Sequence, residues 1–141
     1  MRRPDNLEYY LEIAKAVSKR STCIRRKYGA VIVNNDEIIA TGYNGAPRKE
    51  ANCDDLGICY RVQNNIPNGQ QYEKCRAVHA EQNALLSTSR RDAIDGIIYI
   101  YGYDCINNKE IEAIPCEICF PMIKNMGLKA YGNISGYKEV Y

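Results

Sequence analysis

The chain's single histidine, His79, stands two residues ahead of an acid in His79-Ala80-Glu81, and Pro115-Cys116-Glu117-Ile118-Cys119 lies downstream. One imidazole and two thiolates make a tetrahedral zinc ligand set whose fourth position stays open for water, as in catalytic rather than closed structural sites. Zinc held in this way lowers the pKa of its water from 15.7 to roughly 7, and Glu81 is then the carboxylate placed to carry protons. Each piece alone is weak, since a CxxC pair is often two buried thiols and a lone histidine a surface or capping residue. The reading rests on their coincidence with Pro115 and Glu81.

That chemistry dictates local structure. Side chains at i and i+2 diverge by about 200° around a regular helix, so His79 and Glu81 share a pocket only at a helix entrance. Cys116 and Cys119 face one way if both lie in a helix, and Pro115 suits its first turn. Unpaired N–H groups at such a start favour thiolate over thiol. The sequence therefore predicts two helix N-termini meeting at one metal ion.

The remaining elements must bring those termini together. Leu7, Tyr10, Leu11, Ala14 and Val17 recur at helical spacing and predict a helix over 6–20. Residues 29–33 and 37–41 read as a β-hairpin about Asn34-Asn35-Asp36. Residues 43–75, rich in glycine, proline and polar side chains, predict loops with one short helix around 57–64. Beyond them the pattern predicts a helix over 79–89, a strand over 97–101, a helix over 116–126 and a strand over 128–132, with a further strand at 137–141. Alternating helices and strands in this half imply parallel pairing, hence an α/β fold: a three-layer α/β/α sandwich on a mixed β-sheet.

A length of 141 residues, 45% of them hydrophobic, suits a single domain over 1–141 with one core. No apolar run approaches the ~20 residues of a membrane span, and Glu8, Glu12 and Lys15 interrupt the stretch where a secretory signal would be apolar. A cytoplasmic protein is expected. A net charge of +2 is too small for the broad basic face of a nucleic-acid binder but suits a small anionic substrate. The Arg25-Arg26-Lys27 cluster is a candidate phosphate grip, through Arg25 or Arg26. Seven cysteines in a reducing compartment point to metal ligation or buried thiols.

His79-Ala80-Glu81 and Pro115-Cys116-x-x-Cys119, with Ser21-Thr22-Cys23-Ile24-Arg25-Arg26, Gly29-Ala30-Val31-Ile32-Val33 and Thr41-Gly42-Tyr43-Asn44-Gly45-Ala46-Pro47, resemble the cytidine and deoxycytidylate deaminase superfamily over residues 5–132. The likeness is nearest to its bacterial deoxycytidylate deaminase branch. It implies a cytidine deaminase-like sheet and hydrolysis of dCMP to dUMP with release of ammonia. It also implies attack at C4 of cytosine, with Glu81 protonating first N3 and then the leaving amino group. The Ala80 N–H and the Asn44 side chain, with Tyr43 beside it, become candidates for holding base and sugar. The resemblance further suggests a second, structural zinc at Cys23, Cys53, Cys59 and Cys75, against which stands a reading of these as buried free thiols.

Two departures qualify the likeness. Residues 102–114 replace a very short family loop and are expected to reshape or cover the pocket through Tyr103, Asp104, Asn107, Asn108, Lys109 and Glu110. The sequence also ends soon after 128–132, leaving apolar surface that a homo-oligomer would cover. A deaminase of another cytosine-like base, nucleoside or specialised pyrimidine, and a noncatalytic zinc module, remain open at this point.

Overall fold

A computed structural model describes residues 2–57, 64–65 and 77–141. Strand alternation decides its architecture, because successive side chains on a strand point to opposite faces. In β1 (Arg26–Asn34) and β3 (Ile97–Asp104), Ala30, Ile32, Ile98 and Ile100 enter one core while Val31, Val33, Tyr99 and Tyr101 enter another. Helix α1 (Asn6–Ser18) covers the second face with Tyr10 and Ala14. Its start is set by a capping box in which Asp5 accepts from the Glu8 N–H at 2.8 Å and Glu8 from the Asp5 N–H at 3.4 Å. It stops at Ser18, one half-turn short of the expected Arg20.

The other face carries α3 (Ala80–Leu86), α4 (Arg90–Ala93) and α5 (Cys119–Asn125), which contribute Ala80, Ala84, Leu85, Ala93 and Ile123 to its core. Between β2 (Glu37–Tyr43) and α3 lies α2 (Cys53–Leu56), closed by Gly57 at φ 70°. The expected helix around 57–64 falls largely on residues 58–63, which lie outside the described residues.

The sheet runs β2-β1-β3-β5-β6, with β5 (Ala130–Asn133) parallel to β3 and β6 (Gly136–Glu139) antiparallel to β5. It is a mixed sheet between two helical layers, as the sequence implies. The β1–β2 turn places Asn35 and Asp36 at φ 52° and 59°, the left-handed pair of a tight hairpin.

The 102–114 segment is corrected from an open loop to a paired arm. Residues Gly102–Asp104 belong to β3 and pair with β4 (Lys109–Ile111). Since β1 fills one edge of β3 along its length, β4 extends the edge that β5 occupies at Ile97–Tyr99. Asp104 closes the arm by accepting from the Ile106 and Asn107 N–H groups at 2.9 and 3.2 Å. Tyr101 and Tyr103 pack on the α1 face, away from the face that carries α3, so Tyr103 does not serve as a cover over His79.

Two glycines set the layer spacing. A Cβ on Gly29 would strike the Ala14 carbonyl and the Ser18 N–H of α1, and one on Gly42 would strike the Ala80 carbonyl and Ala84 N–H of α3. Backbone therefore lies on backbone at both contacts, and no side chain larger than hydrogen fits.

Buried Tyr10 donates to the Asp36 carboxylate at 2.6 Å, tying α1 to the hairpin turn. That bond, with burial, pushes the Tyr10 hydroxyl from 10.0 up to about 12. Its contribution is therefore whole below pH 10 and declines as the pH rises toward 12. In urea unfolding, Tyr10→Phe is expected to lose about 1–3 kcal/mol near neutral pH and to lack this alkaline decline.

Candidate active site

His79 is the N-cap of α3, with φ −71° and ψ 152°, outside helical geometry. This extended residue is what lets its imidazole and the Glu81 side chain, on the first turn, reach one place. The Gln82 carboxamide accepts from the His79 N–H at 2.9 Å, holding the cap from behind. An N-cap with Gln three residues on is a capping-box pattern, so this support is a signal that reading for ligands alone passes over.

The structure brings the three sequence-predicted ligands together. His79 Nδ1 lies 3.5 Å from Cys116 Sγ and 3.2 Å from Cys119 Sγ, and all three ligand atoms fall within 4.8 Å of one another. Tetrahedral bonds of about 2.3 Å to sulfur and 2.0–2.1 Å to nitrogen set N···S near ~3.5 Å, so the donor atoms and their spacing fit zinc. Among the described residues, no other group of three histidine, cysteine or acidic side chains meets the same test.

One detail differs from the expectation. Cys116 precedes α5 rather than lying in it, and Cys119 is the helix's first residue. The chain still turns helically between them, because the Phe120 N–H donates to the Cys116 carbonyl at 2.9 Å. The sulfurs consequently share a side despite the later helix start.

Electrostatics follow from these contacts. A hydrogen bond from the Cys119 thiol holds Cys116 down to about 3, with His79 and the backbone N–H groups of Cys119 and Ile118 adding to the effect against burial. The same bond, with burial, pushes Cys119 far up. A divalent cation bound by both sulfurs would displace the proton of their hydrogen bond. Glu81, 6% exposed, touches the Cys119 thiol, and burial raises its carboxyl above the usual range.

A second set of bonds fixes the wall of the site. Gly45 and Val78 exchange backbone hydrogen bonds of 3.1 and 2.7 Å, immediately before His79. The Asn83 side chain donates to the Tyr43 carbonyl at 2.7 Å, joining α3 to the end of β2. Asn44 is buried, its Oδ1 accepting from the Tyr28 N–H at 2.8 Å and its Nδ2 donating to the Arg26 carbonyl at 2.9 Å. Its carboxamide is thereby bound to β1, next to the Gly45 bridge. Arg25 and Arg26, half-buried, lie at the entry to β1, and the Tyr43 ring carries the Arg20 guanidinium 5.9 Å from its centre. Gly42, Gln82 and Asn83 are the positioning residues that a search for ligands does not single out.

Of the four cysteines suggested for a structural zinc, Cys53 is buried and Cys23 half-buried. The Asp54 N–H donates to the Thr22 carbonyl at 3.1 Å, bringing their two segments side by side. Cys59 and Cys75 lie outside the described residues.

Residues 4–132 match the family model described as the cytidine and deoxycytidylate deaminase zinc-binding region. The chain is similar to the deoxycytidylate deaminase of Mycobacterium phage D29, at 38% identity over 92% of this chain and 94% of the phage protein. It is also similar to that of Schizosaccharomyces pombe, at 36% identity over 90% of this chain but 36% of the longer yeast protein. Among solved structures, the dCMP deaminase of cyanophage S-TIM5 in complex with dCMP and dUMP superimposes with a TM-score of 0.65 and 27% identity, covering 94% of this chain and 83% of that one. Cytidine deaminase from Mycobacterium leprae, at 15% identity and a TM-score of 0.58, shares the fold over 97% of this chain and 95% of its own.

Removing the Asn44 carboxamide deletes its bonds to the part-buried Tyr28 N–H and Arg26 carbonyl. Asn44→Ala is expected to lower stability by about 1–3 kcal/mol in denaturant unfolding, and an unchanged midpoint would exclude its role as a strand clamp.

Proposed function

The chain belongs to the cytidine and deoxycytidylate deaminase family, and from that membership we propose that it converts dCMP and water to dUMP and ammonia. The observation that carries this reading is the approach of His79 Nδ1 to both thiols at 3.5 and 3.2 Å with the buried Glu81 carboxyl beside them. When bound by His79, Cys116 and Cys119, zinc supplies an acidified water. Glu81, its carboxyl raised by burial, carries one proton to N3 of the base and a second to the departing amine.

The remaining assignments are part of the same proposal. The Ala80 N–H at the start of α3 and the Tyr43-Asn44 corner hold the base and sugar, and Arg25 or Arg26 grips the phosphate through charge-assisted bonds. Cys23 and Cys53, with Cys59 and Cys75, hold a second, structural zinc, a reading supported by the Asp54–Thr22 bond that joins the first two segments. The whole of 1–141 acts as one domain. Thiol ligands must stay reduced, which suits the cytoplasm, while exposed Leu86, Ile106 and Ile114 offer apolar surface for a homo-oligomer. No helix among the described residues is long and apolar enough to cross a membrane.

Incubated with cytosine, cytidine, CMP and dCMP, the zinc-loaded protein is expected to release ammonia fastest from dCMP. In Glu81→Gln, turnover is expected to fall by at least ~100-fold with zinc content unchanged, and parental activity in this variant would contradict the role given to Glu81. Elemental analysis is expected to find two zinc ions per chain, falling to one in a Cys53→Ser variant. A parental count of one would remove the second site.

A further inference from the structure

The three ligands of the catalytic centre are not held alike. His79 caps α3 and Cys119 opens α5, both helices packed into the core, whereas Cys116 sits on the irregular chain between β4 and α5. On its far side this cysteine is secured by the Phe120 N–H on its own carbonyl. On its near side, the chain is secured three residues earlier at Ala113, whose carbonyl accepts from Asn133 Nδ2 at 2.8 Å.

Asn133 is 1% exposed and Ala113 is 2% exposed, so this bond is made away from water. The other end of the carboxamide accepts from the Ser135 N–H at 2.9 Å, in the β5–β6 turn. One buried side chain thus joins the end of β5, its turn and the approach to Cys116. A polar group in so apolar a place is retained only with its partners made. Three residues of chain span at most about 10 Å, so the position of Ala113 bounds that of Cys116.

We infer that Asn133 is a positioning residue for the metal centre, presetting Cys116 by tying the 112–118 segment to β5. The inference rests on the zinc reading above. It assigns no contact with substrate to Asn133.

The test compares the parent with Asn133→Asp, which keeps an acceptor for Ser135 but loses the donor for Ala113, and with Asn133→Ser, used alone if the Asp variant does not fold. Zinc affinity is measured by chelator competition well below each melting temperature, and cobalt-loaded protein reports thiolate ligation through its sulfur-to-metal charge-transfer band. The expected result is a zinc dissociation constant raised about 10–100-fold and a weaker band. In a Cys116→Ser background, Asn133→Ser is expected to cause no further loss of affinity. Parental affinity and band intensity with only a lower melting temperature would overturn the inference, as would an equal loss in the Cys116→Ser background. A parent that binds no zinc would sink the zinc reading as well, so the two failures are distinguishable.

Discussion

Three soft or nitrogenous donors must stand within bonding reach of one point while a carboxyl two residues from one of them faces the same point. No regular helix meets that demand, since positions i and i+2 lie on opposite sides of it. The structure meets it by taking His79 out of helical geometry and leaving Glu81 in the first turn of α3, while a second helix start brings in Cys116 and Cys119. Burial then does two things at once. It raises the Glu81 carboxyl, and it adds to the Cys116–Cys119 hydrogen bond in pushing the Cys119 thiol up.

The sheet serves that convergence. β2 approaches α3 backbone to backbone through Gly42, and Asn83 and the Gly45–Val78 bridge lock the segment just before His79 to the end of the same strand. α5 packs on the same face through Ile123. The α1 face, with its tyrosines and the Tyr10–Asp36 bond, supports the sheet from behind and takes no part in the metal site.

How far the sequence discloses this differs from residue to residue. His79 was legible because it is the only histidine, and Cys116 and Cys119 because spacing and Pro115 mark them. Both predictions concern local chain geometry, where a few residues carry the information. The β3–β4 arm was not legible, because its pairing joins residues on either side of a turn whose Asp104, Asn107 and Asn108 read as loop formers. The four-residue α4 is too short for periodicity to register. Asn44 shows the limit most clearly: the Asn-Gly pair reads as a turn or a ligand, and nothing local discloses that its carboxamide also bonds the backbone of β1, a contact set by the fold. Asn133 is similar, its partner being the Ala113 carbonyl on a distant segment.

The account depends on a metal ion lying among His79, Cys116 and Cys119. Crystals of the zinc-loaded protein, measured on both sides of the zinc absorption edge, test that directly through the anomalous difference map. The predicted result is a peak about 2.0–2.1 Å from His79 Nδ1 and about 2.3 Å from the Sγ atoms of Cys116 and Cys119. A fully active, zinc-containing protein with no peak at that point would contradict it.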